Sequence, residues 1–218
     1  MKQAVLFING EINLGFCQPY IQKHYRDTPI FCADGAYDKL MHCDCFKTQL
    51  QSVIGDGDSA KSVRSDDKIY ILCEDQNDTD FAKALQYIHG QAYQKLVVFG
   101  AGGGEIDHCI SNFATALHYQ NKLELQFIDE YGIGYFLKNE TLIENQKGKM
   151  ISIVPFPELQ EIELSGCRYP LFNETLALTQ RLGTRNHAIS DRVKIRYTKG
   201  NGLVFISHNN YHNYQSQS

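Results

Sequence analysis

The sequence predicts an α/β fold: an N-terminal, mostly parallel open sheet with flanking helices, followed by a smaller all-β sandwich domain. Short apolar segments recur along the first 130 residues, and helical patterns separate several of them. Unbroken apolar segments are typical of parallel strands buried on both faces, and their alternation with helices favours an open parallel sheet. Beyond residue 131 the helical patterns become few, and short strand patterns follow one another. We therefore predict an α/β domain at 1–130, a β domain at 131–210 and a polar tail at 211–218.

In the first domain, each predicted strand is followed by polar or glycine residues. The strands are predicted at 5–8, 30–33, 53–54, 69–73, 96–99 and 125–128, and the helices at 18–26, 36–46, 80–90 and 108–120. Open parallel sheets bind their ligands outside the carboxyl ends of the strands. The polar residues that follow these strands are therefore the candidates for a functional site.

The second domain is predicted from four strand patterns, at 150–154, 162–164, 193–197 and 203–207. Val193, Ile195 and Tyr197 alternate with two basic residues, as in a half-buried antiparallel strand. The Gly-Asn-Gly segment at 200–202 predicts a hairpin between the last two strands. From residue 209 onward the chain is polar and lacks an apolar period, so we expect a frayed end.

Charge and composition argue against two classes of partner. The formal net charge is -4 and no long basic segment occurs, which argues against a nucleic-acid binder. No apolar segment approaches the roughly 20 residues of a membrane span, and the first residues lack the pattern of a signal peptide. Apart from a weak zinc indication at Cys43 and Cys45, the seven cysteines lack metal-site spacing. We expect reduced thiols in a cytoplasmic protein.

The segment at 75–85 carries more acidic residues than its local structure needs. Three carboxylates collect where a predicted strand is followed by a helix, in Asp75, Asp78 and Asp80. The apolar face of that helix consists of Phe81, Ala84, Leu85 and Ile88. Thr79 or Asp78 can cap its N-terminus, and one capping side chain is enough. The surplus of carboxylates beside Lys83 therefore indicates a bound cation, a phosphate group, or both.

A second pair of carboxylates lies in the Gly-Asp-Gly-Asp-Ser segment at 55–59, where Asp56 and Asp58 are two residues apart. Glycine lets the backbone approach a ligand closely, and paired carboxylates suit Mg²⁺. A polar turn without a ligand is the alternative, because Asp and Gly are common turn residues. Together with Asp34 and Asp80, which also follow predicted strands, the pair favours a metal site.

The glycine-rich segment at 100–105 resembles a dinucleotide-binding fingerprint, but Glu105 stands at the third glycine position and the segment follows a late strand. Both features argue against a Rossmann NAD site. Successive glycines before a helix can still offer N–H groups to a phosphate, and a flexible loop is the alternative. The core stripe of the following helix is predicted to be Ile106, Ile110, Phe113 and Leu117. His108 and Asn112 lie on a different face and are candidate ligands.

Taken together, these motifs resemble those of the thiamine pyrophosphokinase family. That family carries an ADGG-like turn, GDxDS, DQxxTDFxKAL and GxxGGRxDHxxxN in this order. The corresponding segments of this chain are 33–36, 55–59, 75–85 and 100–112. Segments at 152–155, 165–171 and 183–186 are also similar, so the resemblance covers nearly the whole chain, and its most specific part is 75–85.

The resemblance implies an α/β catalytic domain that binds ATP and Mg²⁺, a thiamine-binding β-sandwich, and a homodimer with its active site between the subunits. It implies Mg²⁺-dependent transfer of the diphosphoryl group of ATP to the hydroxyl group of thiamine, which gives thiamine diphosphate and AMP. By matching positions, Asp56, Asp58 and Asp80 would hold Mg²⁺, and the further catalytic candidates are Asp75 and Lys83. The binding candidates are Asn9, Gly10, Asp34, Gly35, Ser59, Gln76, Thr79, Gly100, Gly102, Gly103, Asp107, His108, Asn112, Thr184, Arg185 and Asn186.

Three positions depart from the family pattern: Glu105 replaces an arginine, Ala36 replaces a glycine, and Arg185 replaces a serine. With Glu105 in place of the arginine, the chain lacks a positive charge that the family pattern places near the phosphates. We hypothesise that Arg185 or Arg168 partly supplies this positive charge. Two alternatives to an active thiamine diphosphokinase stay open. One is a catalytically weakened protein that binds a nucleotide or thiamine diphosphate, and the other is a diphosphokinase for another heterocyclic alcohol.

Overall fold

The computed structural model describes residues 1–57, 68–73, 75 and 77–211. The candidate site residues Asp58, Ser59 and Gln76, and the predicted tail from residue 212 onward, lie outside these described ranges. The chain divides into two compact units, the first being Met1–Glu130 and the second beginning at Tyr131. Within the described ranges, no helix combines the length and apolar character needed to cross a membrane.

In the described part of the first unit, strands and helices alternate along the chain. They are β1 (Gln3–Phe7), α1 (Leu14–His24), β2 (Ile30–Ala33), α2 (Asp34–Leu40), α3 (Asp44–Lys47), β3 (Leu50–Gly55), β4 (Tyr70–Leu72), α4 (Asp80–Gly90), β5 (Lys95–Phe99), α5 (Ile106–Tyr119) and β6 (Glu124–Ile128). The strands lie in the order β4-β3-β2-β1-β5-β6, and each neighbouring pair is parallel. The predicted α/β fold with a parallel sheet is confirmed.

The central strands bury nearly all their side chains, as their unbroken apolar sequences predicted, whereas β4 does not. Tyr70 is buried, but Leu72 is 46% exposed. Among the strands that the structure describes, β4 lies at the edge of the sheet and has a neighbour on one side only. The prediction of a buried strand at 69–73 is therefore wrong in part, because apolar composition does not reveal where a strand lies in the sheet.

Of the two apolar helix faces predicted in this unit, the one on α4 is buried and the one on α5 is partly exposed. The predicted face of α4 is buried, in Phe81, Ala84, Leu85 and Ile88. On α5, Ile106 is 78% exposed and Ile110 is 58% exposed, so the predicted core stripe is wrong for these two residues. Farther along α5, Phe113 packs against Phe127 of β6 with the ring centroids 5.1 Å apart, and Ala116 is buried. Periodicity identifies an apolar face but does not determine which part of it other elements cover.

The second unit is all-β, as predicted. Its strands are β7 (Gly132–Phe136), β8 (Glu140–Glu144), β9 (Lys149–Ser165), β10 (Leu171–Ala177), β11 (Gly183–His187), β12 (Arg192–Arg196) and β13 (Lys199–Asn210). The strand β9 forms antiparallel pairs with β10, β11, β12 and β13. The segments predicted as separate strands at 150–154 and 162–164 are therefore one strand. Its first part supplies Ile151 and Ile153 to the core of this unit, and its second part supplies Ile162 and Leu164.

The hairpin predicted at 200–202 does not form. Gly200 and Gly202 lie within β13 opposite Leu159 and Pro155 of β9, with a register shift between them. β12 also pairs with β9. Gly200 has a φ of +104°, and a Cβ atom there would lie 1.9 Å from the carbonyl oxygen of Glu158. This glycine therefore permits a close, bulged approach of two strands, and it does not form a turn.

The chain remains paired farther toward its C-terminus than predicted. β13 runs to Asn210, and the main-chain N–H of Tyr211 donates to the carbonyl oxygen of Gly148 at 2.7 Å. The ring of Tyr211 also stacks on His187 of β11, with the centroids 4.7 Å apart. The predicted fraying is therefore wrong for residues 209–211, because strand pairing and ring stacking compensate for a polar sequence.

Candidate active site

The strand order of the first unit reverses between β1 and β5, which is where open α/β sheets bind ligands. The loops after these two strands are joined by main-chain hydrogen bonds. The N–H of Gly10 donates to the carbonyl oxygen of Gly100 at 2.9 Å, and that of Glu11 donates to Gly102 at 2.9 Å. A Cβ atom on Gly10 would lie 2.2 Å from the carbonyl oxygen of Gly100. Gly10 and Gly100 therefore allow the two loops to touch at the predicted ligand-binding edge.

Asn9 and Gly35, which are both predicted binding candidates, are neighbours. A Cβ atom on Gly35 would lie 2.4 Å from Nδ2 of Asn9, so the glycine leaves room for this side chain. Lys39 of α2 adds a second link, because its ammonium donates to the carbonyl oxygens of Asn9 at 2.9 Å and Gly10 at 3.0 Å. Sequence reasoning missed Lys39, since a lysine within a helix is most often a solvated surface residue.

Three carboxylates meet at the carboxyl ends of β2, β3 and β4. Asp34 is the first residue of α2, Asp56 follows β3, and Asp80 is the first residue of α4, which packs against β2 and β3. The three carboxylate groups each offer an oxygen atom, and these oxygens lie within 4.8 Å of one another. We call these three residues the acid cluster. The cluster contains the predicted metal ligands Asp56 and Asp80 and adds Asp34, which had been predicted only as a neighbour.

Backbone geometry holds Asp34 in the acid cluster. A Cβ atom on Gly55 would lie 2.4 Å from the Cβ atom of Asp34, so only a glycine lets β3 approach this closely. The N–H of Gly57 donates to Oδ2 of Asp34 at 3.0 Å. Asp34 is fully buried. All the donors of the cluster are oxygen atoms, which Mg²⁺ prefers, and these residues therefore fit a divalent cation.

Lys83 bridges two members of the acid cluster. Its ammonium lies 2.9 Å from Oδ2 of Asp56 and 3.2 Å from Oδ1 of Asp80, and its side chain is 4% exposed. Burial acts to lower the pKa of Lys83, but the two hydrogen bonds and the charges of Asp80 and Asp56 outweigh it, so the net shift is upward. Lys83 therefore carries its positive charge inside the cluster, one helical turn after Asp80.

The pKa of the Asp80 carboxyl group is raised, which disfavours its charged form. Burial raises its pKa, the charges of Asp56 and Asp34 raise it further, and the hydrogen bond from Lys83 opposes the shift. Burial also raises the pKa of Tyr70, and the charges of Asp34 and Asp80 contribute. A cluster in which carboxylates repel one another is stabilised by an added cation. Sequence reasoning did not identify Tyr70, since it lies inside an apolar strand pattern.

The other acidic residues of the 75–85 segment are placed differently. Oδ1 of the exposed Asp75 accepts hydrogen bonds from the main-chain N–H of Asn77 at 2.9 Å and from its side-chain amide at 3.0 Å. Thr79 caps α4, because its Oγ1 accepts a hydrogen bond from the N–H of Ala82 at 3.2 Å. Of the two caps considered, Thr79 is therefore the one that forms. Among the three acids of this segment, the structure brings only Asp80 into the acid cluster.

The segment that links β5 to α5 begins buried at Gly100 and Ala101 and becomes exposed from Gly103 onward. Glu105, Asp107 and His108 are exposed, and their ligand atoms lie within 4.8 Å of one another. Exposed groups of this kind are common without an ion, so the acid cluster, in which Asp34 is buried and Asp56 and Asp80 are half-buried, is the stronger metal candidate. Asn112, one turn farther on, donates from Nδ2 to the carbonyl oxygen of Ala101 at 3.1 Å and so anchors the glycine-rich loop. A Cβ atom on Gly102 would have no neighbour within 4 Å, whereas one on Gly103 would lie 2.5 Å from the Cβ atom of Glu11.

In the second unit, the three candidates at 184–186 have different environments. Thr184 and Arg185 are exposed on β11, and Arg185 has a φ of +57°. Asn186 is buried, and its side chain bridges two segments. Its Oδ1 accepts from the N–H of Tyr169 at 3.1 Å and from that of His187 at 2.9 Å, while its Nδ2 donates to the carbonyl oxygen of Tyr169 at 2.7 Å. The Asn186 side chain therefore positions the backbone of Tyr169, and its predicted part in ligand binding stays a prediction.

Replacing Asn186 with alanine is expected to lower the free energy of unfolding by about 1–3 kcal/mol, because the main-chain N–H and carbonyl groups of Tyr169 lose the hydrogen bonds that the buried Asn186 side chain makes with them. Urea unfolding followed by circular dichroism measures the change. Thr184→Ala is the matched control, since Thr184 is an exposed neighbour on the same strand and its removal should change stability by less than about 0.5 kcal/mol. Equal stabilities of the two variants would contradict the positioning role.

Two family models match the chain. The model described as "Thiamin pyrophosphokinase, catalytic domain" matches residues 22–127. The model described as "Thiamin pyrophosphokinase, vitamin B1 binding domain" matches residues 139–201. The first match falls within the first compact unit and the second match within the second unit. Together the two matches cover most of the chain.

Relatives of known name agree with the family models. A thiamine pyrophosphokinase of Bacillus subtilis (strain 168) is 28% identical over 136 residues, which are 61% of this chain and 64% of that relative, and so less than two thirds of its length. The crystal structure of thiamine pyrophosphokinase from Bacillus subtilis has a TM-score of 0.78 at 20% identity, covering 94% of this chain and 99% of that chain. The yeast thiamin pyrophosphokinase structure has a TM-score of 0.80 at 18% identity, and the match covers 94% of this chain and 86% of the yeast chain. These likenesses show that the fold is shared.

Proposed function

The chain belongs to the thiamin pyrophosphokinase family, and from this premise we propose that it transfers the diphosphoryl group of ATP to the hydroxyl group of thiamine, with Mg²⁺ as cofactor. The observation that carries this proposal is the acid cluster of Asp34, Asp56 and Asp80 with the ammonium of Lys83 bonded inside it. A reaction that moves a diphosphoryl group depends on positioning and on neutralising phosphate charge. One buried and two half-buried carboxylates beside a buried lysine are suited to both tasks.

The roles of the individual residues follow from their positions. Asp34, Asp56 and Asp80 would hold Mg²⁺, which when bound neutralises charge on the transferred group. Lys83 keeps its proton and supplies a fixed positive charge in the same place. The linked loops that contain Gly10 and Gly100 lie where the strand order reverses, so they border the proposed site for the phosphates of ATP.

The proposal is tested by incubating the purified full chain with ATP, Mg²⁺ and thiamine and separating the products. AMP and thiamine diphosphate should appear in equal amounts, and neither should appear when Mg²⁺ is removed with a chelator. Absence of AMP at saturating substrates, with thiamine diphosphate still binding, would favour the alternative of a binding protein. AMP release with a different heterocyclic alcohol, but not with thiamine, would change the substrate assignment.

We include in the proposal that the protein works as a homodimer in the cytoplasm. Ile106 and Ile110 of α5 are exposed apolar residues that a second copy could cover. The seven cysteines are free thiols, which suits a reducing compartment. Analytical ultracentrifugation measures the mass in solution, and a monomer at micromolar concentration would contradict the dimer.

Replacing Lys39 with methionine is expected to raise KM for ATP about tenfold and to change kcat less, because the ammonium holds the Asn9–Gly10 loop without belonging to the acid cluster. Steady-state kinetics over a range of ATP concentrations separates the two constants. Lys39→Arg should recover most of the affinity. Lys23→Met, which removes an exposed lysine of α1, is the matched control and should leave both constants unchanged. Equal kinetics for Lys39→Met and Lys23→Met would contradict the role of Lys39.

We retain the hypothesis that Arg185 partly supplies the positive charge that is lost where Glu105 replaces the family's arginine. Arg185→Ala is then expected to raise KM for ATP several-fold. This corresponds to a loss of about 1 kcal/mol of binding free energy, as for an exposed charged contact. Arg192→Ala is the matched control, because Arg192 is also exposed and its guanidinium forms a surface pair with Glu144 at 3.5 Å. If Arg185→Ala leaves both KM for ATP and turnover at the level of this control, the charge is not supplied by Arg185.

A further inference from the structure

Cys43 and Cys45 form a close thiol pair on the first unit. Cys43 precedes the first residue of α3, and Cys45 lies in its first turn. Their sulfur atoms are 2.6 Å apart, and both residues are half-buried, so a small molecule in solution can reach them. By contrast, Cys17, Cys32 and Cys167 are buried.

The backbone around the pair explains why the sulfur atoms meet. Residues two apart in a helix point to different sides, but Cys43 has an extended conformation, with φ -124° and ψ 108°, and so directs its side chain toward Cys45. Asp44, the residue between them, is exposed and hydrogen-bonds to Lys47. The two sulfur atoms are therefore in direct contact, as exchange within the pair requires.

We propose that Cys43 and Cys45 are a reversible dithiol–disulfide site, which a low-molecular-weight disulfide such as oxidised glutathione converts to the disulfide. Residues 43–45 hold both sulfur atoms on one short segment, so the bond closes without moving any other element. The site is separate from the acid cluster and does not depend on the proposed diphosphokinase activity.

The exchange balances in two steps. The Cys43 thiolate attacks one sulfur atom of oxidised glutathione, which forms a mixed disulfide and releases one glutathione thiolate that takes up a proton. The sulfur atom of Cys45 then loses its proton, attacks the Cys43 sulfur atom, and displaces the second glutathione. Two protein thiols are oxidised, and one glutathione disulfide is reduced to two thiols. Burial, together with the neighbouring Cys43 sulfur, raises the pKa of Cys45 to about 12, which is consistent with Cys45 acting in the second step.

The tryptic peptide 40–47 makes the test specific, because cleavage after Lys39 and Lys47 releases Cys43 and Cys45 together and without another cysteine. The folded full chain is incubated with oxidised glutathione, blocked with N-ethylmaleimide, digested and weighed by mass spectrometry. We expect the peptide to lack any maleimide and to be lighter by two hydrogen atoms. Reduction with dithiothreitol before blocking should then yield the peptide with two maleimides.

Several outcomes would overturn the proposal. A peptide that carries two maleimides after oxidation, or a glutathione on each cysteine, would show that no bond forms between them. Protection of both thiols by Zn²⁺ without the loss of two hydrogen atoms would assign the pair to a metal. In Cys43→Ser or Cys45→Ser, the remaining cysteine should carry maleimide or glutathione, and continued protection would count against the pair. The measurement on the unchanged chain decides the question even if a variant does not fold.

Discussion

Replacing Asp80 with asparagine is expected to lower kcat by about 10²- to 10³-fold and to leave the free energy of unfolding at least as high as before. The rate falls because one of the three carboxylates that would hold Mg²⁺ is lost. The stability is retained because burial and the charges of Asp56 and Asp34 raise the pKa of Asp80, so its ionised form is disfavoured in the folded protein. An uncharged side chain of the same shape removes that penalty.

Three measurements separate these effects: steady-state kinetics, urea unfolding, and the shift of Tm on adding Mg²⁺ with ATP. The unchanged protein should show an increase of Tm with Mg²⁺ and ATP, and the increase should be smaller in the variant. Asp44→Asn is a closely matched control, because Asp44 is also the first residue of a helix and also pairs with a lysine three residues later. This control should leave kcat unchanged.

The same loss of turnover is expected for Asp56→Asn, which also belongs to the acid cluster. Near-normal turnover in both variants would contradict the assignment of these carboxylates to Mg²⁺. A large loss of stability together with the loss of turnover would instead indicate that the cluster serves mainly to pair with Lys83.

Replacing Gly10 with alanine is expected to lower the free energy of unfolding by about 1–3 kcal/mol. The added Cβ atom would lie 2.2 Å from the carbonyl oxygen of Gly100 and 2.6 Å from that of Gly102, and these are backbone atoms that cannot rotate away. The two loops must then separate and lose the hydrogen bonds from Gly10 and Glu11. Tm should fall by about 2–4 °C for each kcal/mol in a protein of this size. Diphosphokinase activity should fall with it, because the loops border the proposed phosphate site.

Two glycines provide controls for this steric argument. A Cβ atom on Gly102 would have no neighbour within 4 Å, so Gly102→Ala should leave Tm unchanged even though it lies in the same pair of loops. Gly90 at the end of α4 has equally open surroundings, and Gly90→Ala should leave both Tm and activity intact or raise Tm slightly. An unchanged Tm in Gly10→Ala would show that the loops do not need their close contact.

Much of the first unit could be predicted because its signals are local. Continuous apolar segments indicated the strands, and parallel strands place their carboxyl ends at one edge of the sheet. The residues directly after these strands therefore had to come together, and Asp34, Asp56 and Asp80 do so. The cap of α4 could also be narrowed to two neighbouring residues, because capping depends on atoms within one helical turn.

Features that depend on distant partners could not be predicted in the same way. Gly200 and Gly202 form a local turn signal, but their role is decided by β9, some 40 residues earlier in the chain. Ile106 and Ile110 belong to a regular apolar stripe, yet they remain exposed. Asn186 matches a family motif, but its local sequence does not reveal that its side chain bonds to the backbone of Tyr169. In each case the local sequence is compatible with more than one set of neighbours.

Asp44 and Asp80 illustrate the difference between what local sequence determines and what tertiary contacts decide. Each begins a helix and pairs with a lysine three residues later. The sequence by itself determined the helix start at Asp80, whereas its pattern placed Asp44 inside a single helix at 36–46. The hydrogen bond from Lys47 lowers the pKa of Asp44, which is open to water, whereas burial raises the pKa of Asp80. Only the tertiary structure decided which carboxylate joins Asp34 and Asp56. The reason is that desolvation and charge repulsion depend on the groups that surround a side chain in space, and residues far apart in sequence supply them.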